Sequence, residues 1–352
     1  QNNEEEKLLG SKLFTEIKQD ELDITDILGS NNKVVEGSLV SFNSESKELD
    51  SEPFSLLDIE SHKISNIRKI DEKKYIQLKG LFEKTKEESL KKLLLSNTNK
   101  VNFIFNETDF LVKAVNSVVE DMRMKLITYG KIEKNIDDKD DVKININYFR
   151  DTKNTVKLTG DKRWTVTTTT GDGEYKSNPL QDIEDMCNHL ASISERPSVI
   201  YCTTEAFNTF KNHPIVRLNI LGGLNIPGFA LSLPVVNNYL ESMNLPKIVI
   251  YDKGRIVRSR KNDKITDVFK KYLDTDVFVF APFGTLGTTV YTKTAEESAF
   301  LDNHEELEDE NNFIFSKLWI QEEPSFLAYV KACTITAISC PSINKTACIK
   351  FK

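Results

Sequence analysis

The chain has 352 residues, of which 39% are hydrophobic and 29% are charged, and its formal net charge is −7. The negative charge argues against a dedicated nucleic-acid-binding protein, which needs a basic surface. The longest apolar runs, such as residues 277–282, are far too short to span a bilayer.

The first part of the chain predicts an arm followed by a two-stranded loop. Residues 1–30 are polar and acidic, which is typical of an arm rather than of a core. Strand-like patterns at 33–42 and 54–70 flank a polar tip at 43–53. This loop has too little apolar content to bury itself, and an isolated hairpin is marginal in water. We therefore expect it to rest on something else.

Charge is distributed unevenly over the first hundred residues. Residues 1–60 contain 15 Asp/Glu and 5 Lys/Arg, whereas residues 61–100 contain 11 Lys/Arg and 5 Asp/Glu. Within the second segment, residues 75–96 have the spacing of a charged amphipathic helix. Both segments are explained by exposure to solvent, or by contact with opposite charges on neighbouring copies of the chain.

The most informative segment predicts one long helix followed by a β-hairpin. Asn106 is a suitable N-cap, and Gly130 can adopt the left-handed conformation that ends helices. Two alternating runs at 142–149 and 155–159 predict a hairpin that turns at 150–154. Glu120, Arg123 and Lys125 fall off the apolar stripe of the helix, which consists of Leu111, Val115, Val118, Met122, Leu126 and Tyr129. A lone long helix on a hairpin suits a flat structural subunit.

The remaining chain predicts a mixed α/β lobe and a strand-rich tail. Pro179 occupies the tolerated first turn of a helix that continues to about residue 192. A short strand at 198–202 precedes a helix that Thr203 or Thr204 caps and that ends near His213. Further predicted elements are a helix at 234–243 and strands at 247–251 and 276–281. The tail, 326–351, is expected to pair back onto the central hairpin.

The residues that carry chemistry form no recognisable site. The acidic runs at 137–141 and 302–310 are consecutive in sequence, whereas metal sites need carboxylates that converge from fixed positions. Glycines at 171–173 and 284–287 lack the context of a phosphate-binding loop. Five cysteines form no CxxC pair and are expected to be reduced and structural. The four histidines are scattered, and His213 is expected to be a helix cap. We predict no catalytic, cofactor-binding or metal-binding residue.

Several strings of residues form a family pattern by their order and spacing. The long helix exits through Met-Lys-Leu-Ile-Thr-Tyr-Gly-Lys-Ile at 124–132, and Trp164 is followed by Asn-Pro-Leu-Gln-Asp-Ile at 178–183. The pattern continues through 197–214, 276–291 and the closing strands at 329–351. Together these strings resemble the lambda-type major capsid protein family of tailed bacteriophages. The likeness is clearest over 107–352, rests on element order alone over 30–100, and assigns no role to 1–30 or 302–310.

The resemblance implies an α+β fold, the Hong Kong 97-like phage capsid fold. It implies an N-terminal arm at 1–30 and an extended loop at 31–72 that lies over a neighbouring subunit. A peripheral domain would consist of two parts, 73–177 and 301–352, and an axial domain would span 178–300. The peripheral domain would contain the spine helix, 106–130, and an antiparallel sheet from 142–159 and 326–352. The axial domain would point to the capsomer centres.

The same resemblance implies a major capsid protein that self-assembles as hexamers and pentamers. The icosahedral shell would enclose double-stranded phage DNA without tight specific binding, and would be assembled in the host cytoplasm. Scaffold, portal and decoration proteins are the implied partners, and no membrane or cofactor is implied. Four apolar residues of the unsupported loop and two lysines of the charged helix are the candidate contacts between subunits: Val35, Leu39, Phe54, Ile64, Lys84 and Lys91.

Two alternatives remain open from the sequence. An encapsulin-like compartment shell would share the fold, and a cargo gene beside it in the genome would distinguish it. A cytosolic α/β hydrolase or transferase would need a deep pocket with convergent polar groups within 178–300. The chain begins with Gln1 and without a signal segment, so secretion is not indicated, and either renumbering or proteolytic processing explains the missing Met. The intact mass of the subunit, compared with its open reading frame, would decide.

Overall fold

The computed structural model describes residues 8–28, 55–71, 99–135, 143–169, 175–193, 195–223, 230–261, 264–301, 313–321 and 327–352. Outside these ranges lie the predicted helix at 75–96, both acidic runs, and five of the predicted contacts, namely Val35, Leu39, Phe54, Lys84 and Lys91. Among the described helices, none is both long enough and apolar enough to cross a membrane.

The described residues form seven α-helices and sixteen strands. The α-helices are α1 Leu9–Leu13, α2 Asn99–Tyr129, α3 Pro179–Ile193, α4 Thr204–Asn212, α5 Pro214–Ile220, α6 Leu233–Ser242 and α7 Ala295–Leu301. The strands are β1 Phe14–Gln19, β2 Asp23–Leu28, β3 Ser55–Glu60, β4 His62–Asp71, β5 Lys131–Asn135, β6 Lys143–Asn147, β7 Thr155–Lys157, β8 Val199–Cys202, β9 Lys247–Ile250, β10 Gly254–Lys261, β11 Lys264–Lys271, β12 Val277–Ala281, β13 Gly287–Thr292, β14 Phe315–Gln321, β15 Leu327–Ser339 and β16 Ala347–Lys350. The helices predicted near 179–192, 204–213 and 234–243 are confirmed, as are the strands near 198–202, 247–251 and 276–281.

The long helix α2 begins earlier than the sequence predicted. Asn106 is not its N-cap, because the helix starts seven residues before it, at Asn99. Residues 99–105 contain neither proline nor glycine, so nothing in them stops a helix. A capping side chain contributes only about 1 kcal/mol, and continuing the helix through this segment outweighs that gain.

The predicted glycine stop of α2 is confirmed. Gly130 has φ +70, and its N–H donates to the carbonyl of Leu126 at 2.7 Å. The buried Arg150 guanidinium donates to the carbonyls of Ile127 and Thr128 at 2.8 and 2.6 Å. A cation at this end also interacts favourably with the negative end of the helix dipole.

The predicted hairpin between 142–149 and 155–159 is wrong. The hairpin that follows α2 consists of β5 and β6, which pair antiparallel from Lys131↔Asn147 to Asn135↔Lys143. β7 instead pairs in parallel with the C-terminal strand β16. The reason lies between β6 and β7, where Tyr148 is fully buried and donates to the carbonyl of Ile338 at 2.5 Å. The chain therefore enters the core before it can turn back.

One sheet combines both ends of the chain. Its path is β1-β13-β15-β14, and β4 pairs with β15 over ten residues. β1 lies parallel to β13, and the other pairs are antiparallel. Helix α2 packs on this sheet through β4 and β15. Leu111 and Val115, both on the predicted stripe, are buried there with Val330.

Residues 8–19 pack into this body, whereas the sequence predicted an arm rather than a core for residues 1–30. Leu9, Leu13 and Phe14 are buried in the same core cluster as Met122 and Leu126 of α2. The sequence pattern that would predict their burial is weak, because only these few apolar residues turn inward among charged neighbours. The segment gains its burial from helix and sheet residues that are distant in the sequence.

A second sheet contains the other core. Its order is β7-β16-β12-β8-β9, with β12 antiparallel to both of its neighbours. Helices α3, α4 and α6 contribute buried residues to the cluster on this sheet. The sheets cross the predicted domain bounds: β13, inside 178–300, joins the first sheet, and β16, outside it, joins the second. The tail does pair with β7, as part of this second sheet.

His213 is the C-cap residue of α4 and the N-cap residue of α5, as predicted, but its buried side chain makes no capping hydrogen bond. Its side chain is 2% exposed, and its Nε2 lies 2.9 Å from Ser177 Oγ. The imidazole Nδ1 has no hydrogen-bond partner among the described residues. Burial therefore lowers the pKa of His213 to about 4.

The stability of the subunit should consequently fall as the pH falls from about 6.5 to about 4. In this window the unfolded chain binds a proton at His213 that the native chain excludes, and the full shift corresponds to about 3 kcal/mol. Urea unfolding at pH 7 and pH 4.5 measures it, and His213→Gln should lose most of the extra slope. His189→Gln is the matched control, because it removes a histidine of α3 that bonds Asn154 and leaves His213 in place. Equal slopes in the wild type and His213→Gln would contradict the assignment.

Candidate assembly surfaces

The middle of helix α2 contains a buried polar cluster. Glu120, Asp121 and Arg123 are 0%, 3% and 2% exposed. Glu120 and Arg123 lie off the apolar stripe, as the sequence predicted, but other segments of the chain cover them. Buried charges are tolerated when they are paired and hydrogen-bonded. Glu120 and Arg123 both hold the N-terminal segment on the helix, and Asp121 holds two ribbons.

Glu120 holds the N-terminal segment. Its carboxylate accepts the Gly10 N–H at 3.0 and 3.1 Å and the Tyr251 hydroxyl at 2.7 Å. A Cβ at Gly10 would collide with this carboxylate, so the close approach requires glycine. Burial raises the pKa of Glu120, although the hydrogen bonds from Tyr251 and Gly10 oppose the shift.

Arg123 joins the N-terminal segment to the first sheet. Its guanidinium donates to Thr289 Oγ1 on β13 at 2.8 Å and to Ser11 Oγ at 3.1 Å. It also forms an ion pair with Glu16 on β1 at 2.7 Å. One side chain therefore fixes α1, β1 and β13 relative to α2.

Asp121 holds two ribbons on α2. It pairs with Arg255 of β10 at 2.5 Å and with Lys134 of β5 at 3.4 Å, and Lys125 lies at 3.4 Å. Burial raises the pKa of Asp121, but Lys134, Arg255 and Lys125 outweigh it and hold the pKa below its usual value. The charged form is therefore favoured, and Asp121 holds the far end of β5 and the base of the β10–β11 ribbon on one helix.

The described residues contain three two-stranded ribbons outside the two larger sheets. They are β2–β3, β5–β6 and β10–β11, and the described strands of each pair only with one another. On the β10–β11 ribbon, the cross-strand pair Ile256 and Phe269 is 66% and 60% exposed. On the β2–β3 ribbon, Leu56 is 63% exposed, and Leu22 just before it is 55% exposed. Exposed apolar side chains on such ribbons indicate contacts with other molecules.

Phe149 is a further exposed aromatic residue. It is 68% exposed and has φ +51, a conformation that bulky residues rarely adopt. The buried neighbours Tyr148 and Arg150 hold it there, and its N–H donates to Asn147 Oδ1 at 2.9 Å. The strained backbone presents this ring to the outside.

The predicted contacts coincide only partly with these surfaces. Ile64, the one described member, lies on β4 opposite Thr334 and is half-buried against its own chain. Beside it, Lys331 and Lys63 hold the pKa of Glu296 at about 2. The sequence reasoning missed Ile256 and Phe269, although two alternating runs around Asn262 and Asp263 are a hairpin signal.

Comparisons with solved structures place the fold. A protein of an Escherichia coli CFT073 prophage, described as a capsid protein, superposes with a TM-score of 0.51 at 14% identity, covering 85% of this chain and 80% of that chain. A phage-related protein from Bordetella bronchiseptica RB50 gives 0.49 at 12% identity, covering 97% and 91%. The encapsulin from Synechococcus elongatus PCC 7942 gives 0.42 at 8% identity, covering 96% and 85%. A comparison with curated protein sequences gave no match.

The long helix and the two sheets form the Hong Kong 97-like fold. Residues 3–329 match the model of the phage major capsid protein E family, so the chain belongs to that family. The family is structural and not enzymatic, which removes the hydrolase or transferase alternative. The chain is a capsid shell protein that oligomerises, and its location is the virion. The predicted lambda-type capsid resemblance is confirmed.

Proposed function

We propose that copies of this chain assemble as pentamers and hexamers into an icosahedral shell around double-stranded phage DNA. The observation that carries the proposal is a pair of two-stranded ribbons, β2–β3 and β10–β11, with exposed apolar residues. An isolated two-stranded ribbon is marginal in water, so packing against neighbouring copies would stabilise each of them. A closed shell supplies such neighbours around every subunit.

The parts of the subunit have different proposed roles. The first sheet with α2 forms the peripheral domain, and the second sheet with its helices forms the axial domain at the capsomer centre. The segment near 31–72 lies over a neighbour, which would cover Val35, Leu39, Phe54 and the half-exposed side of Ile64. Lys84 and Lys91 meet acidic surfaces of adjacent copies. The buried polar cluster on α2 supports these roles by holding the far end of β5 and the base of the β10–β11 ribbon on the helix.

The shell has further proposed partners. Scaffold, portal and decoration proteins act with it during assembly in the host cytoplasm. The DNA is confined rather than bound tightly, because the net charge of the subunit is −7 and a strongly basic lining would hold DNA by counterion release.

Electron microscopy of the purified protein tests the assembly. We expect closed particles with five-fold and six-fold capsomers, in equilibrium with free subunits whose fraction rises on dilution. Analytical ultracentrifugation of the same sample gives the fraction assembled. If the protein stays monomeric or forms only open aggregates across protein concentration and salt, the proposal is wrong.

A further inference from the structure

The β10–β11 ribbon and its flanks form a strongly basic surface, here called the basic hairpin, residues 253–271. It contains two acidic residues, Asp263 and Asp267, and eight basic ones: Lys253, Arg255, Arg258, Arg260, Lys261, Lys264, Lys270 and Lys271. The whole chain is acidic, so this excess is local. The basic hairpin stands out from the rest of the subunit as one cationic projection.

The chain itself neutralises only part of this charge. Arg255 is held by Asp121, and Lys271 lies within 2.7 Å of carboxylate oxygens of Glu205 and Asp252. These contacts lie at the base of the hairpin. Farther along, Arg258 pairs across the strands with Asp267 at 2.7 Å, and Lys270 is exposed. The projecting part keeps a positive excess.

An apolar pair lies within this cationic surface. Ile256 and Phe269 face each other across the ribbon and are mostly exposed. A Cβ on Gly254 would come within 2.7 Å of Phe269 Cζ, so the ring lies over the glycine. A phosphate backbone offers no apolar surface for such a pair. Aromatic and aliphatic side chains within a charged rim are instead the composition of a protein interface. The surface therefore favours a protein partner over DNA.

The same subunit has the complementary surface. The β2–β3 ribbon with its lead-in, residues 20–28 and 55–60, is here called the acidic ribbon. It contains no lysine or arginine and six acidic residues: Asp20, Glu21, Asp23, Asp26, Asp58 and Glu60. Leu22 and Leu56 are its exposed apolar residues. It therefore matches the basic hairpin both in charge and in having apolar groups among the charges.

We infer that the basic hairpin of one subunit binds the acidic ribbon of a second copy. Opposite charges would select and orient the contact, and the apolar residues of both ribbons would leave water on docking. The inference rests on the proposed shell, since assembly brings the second copy into place. The contact would give each ribbon a binding partner on assembly.

Charge reversal tests the pairing. Lys264→Glu with Lys270→Glu on the basic hairpin should lower the fraction of assembled protein about tenfold, and Glu21→Lys with Glu60→Lys on the acidic ribbon should do the same. A chain with all four substitutions should recover to within about threefold of the wild type, because the charges are then exchanged. Lys153→Glu with Lys162→Glu is the matched control, which makes the same charge change on the exposed stretch around β7.

The four-substitution chain also guards against misfolding. Its recovery would show that neither pair of changes unfolds the subunit, whereas failure to recover would overturn the pairing. A second route leaves the charges alone: Ile256→Thr with Phe269→Thr keeps β-propensity and should also reduce assembly. Unchanged assembly in this variant would contradict the inference.

Two other results would separate the rival explanations. If reversing the basic hairpin weakens binding of the subunit to duplex DNA at about 50 mM salt but leaves assembly unchanged, the hairpin faces DNA and the inference is wrong. If the wild type forms no closed shells, the proposed function fails. The charge-reversal variants are then compared by the association of subunits in sedimentation. Loss of association in each pair of substitutions and its recovery in the four-substitution chain would still support the contact.

Discussion

Replacing Arg123 with methionine is expected to lower the free energy of unfolding by about 3–5 kcal/mol. Arg123 is 2% exposed and contacts Thr289, Ser11 and Glu16, which belong to three different elements. Removing one partner of a buried ion pair leaves the other charge without compensation. Methionine fills similar space, so the loss reports the polar contacts rather than a cavity.

The substitution should also have a local signature. Residues 8–19 are held on α2 through Arg123 and through the Glu120 carboxylate. Hydrogen exchange of their amides should therefore accelerate more than that of β8 or β12 in the second sheet. Urea unfolding of unassembled subunits measures the free energy, because assembly would otherwise add to the apparent stability.

Arg258→Met is the matched control for this experiment. Arg258 also pairs with a carboxylate, Asp267 at 2.7 Å, but their side chains are 66% and 42% exposed. Exposed ion pairs contribute about 0–1 kcal/mol. A loss at Arg123 no larger than at Arg258 would show that the buried cluster does not hold the N-terminal segment.

Replacing Trp164 with alanine is expected to destabilise the second sheet by about 3–5 kcal/mol. Trp164 is 1% exposed and stacks on Phe351 with ring centroids 4.5 Å apart and an interplanar angle of 8°. Phe278 and Phe210 contact it edge-on and at a tilt, at 5.0 and 5.9 Å. Alanine would leave a large cavity between β12, α4 and the C-terminal residues.

A hydrogen bond adds to the packing of Trp164. Its indole Nε1 donates to Asp182 Oδ2 on α3 at 2.7 Å, so the ring also fixes the first turn of that helix. Trp164→Phe keeps an aromatic ring but removes the donor, and should cost about 1–3 kcal/mol. Thermal unfolding followed by circular dichroism measures both variants.

Trp319→Ala provides the comparison within the same chain. Trp319 stacks on Tyr329 with centroids 5.2 Å apart but is only half-buried on β14. Its loss should be clearly smaller than that of Trp164, because less surface returns to water. Equal losses at both positions would contradict the central place of Trp164 in the core.

Much of the local structure could be predicted from the sequence. The glycine stop at Gly130, the proline start of α3 and the short apolar strands around 199–202 and 277–281 depend on neighbouring residues alone. Backbone preference, capping and periodicity act over a few residues, and a single sequence displays them directly. The order of these elements was also enough to indicate the capsid fold, and the match to residues 3–329 confirmed it.

The candidate surfaces were less predictable. The sequence predicts Ile64 as a contact between subunits, because its strand has too little apolar content to bury itself. In the structure β4 pairs with β15, more than 250 residues later. Ile256 and Phe269 became candidates only when the structure showed that no described strand covers their ribbon. Exposure depends on every other part of the subunit, so an alternating pattern alone does not reveal it.

Only the tertiary structure decided which strands pair and which charges are buried. The run at 155–157 pairs with β16 and not with the preceding strand. Strands pair through backbone groups that every residue has, so the sequence of a strand does not specify its partner. Glu120, Asp121 and Arg123 look like solvated helix residues in the sequence. They are buried because Gly10, Arg255 and Thr289 reach them from distant segments. The sequence by itself determined the helices near 179–192, 204–213 and 234–243, the glycine stop and the capsid family, since those follow from local preference and element order. Long-range partners, which lie more than a hundred residues away along the chain, decided the rest.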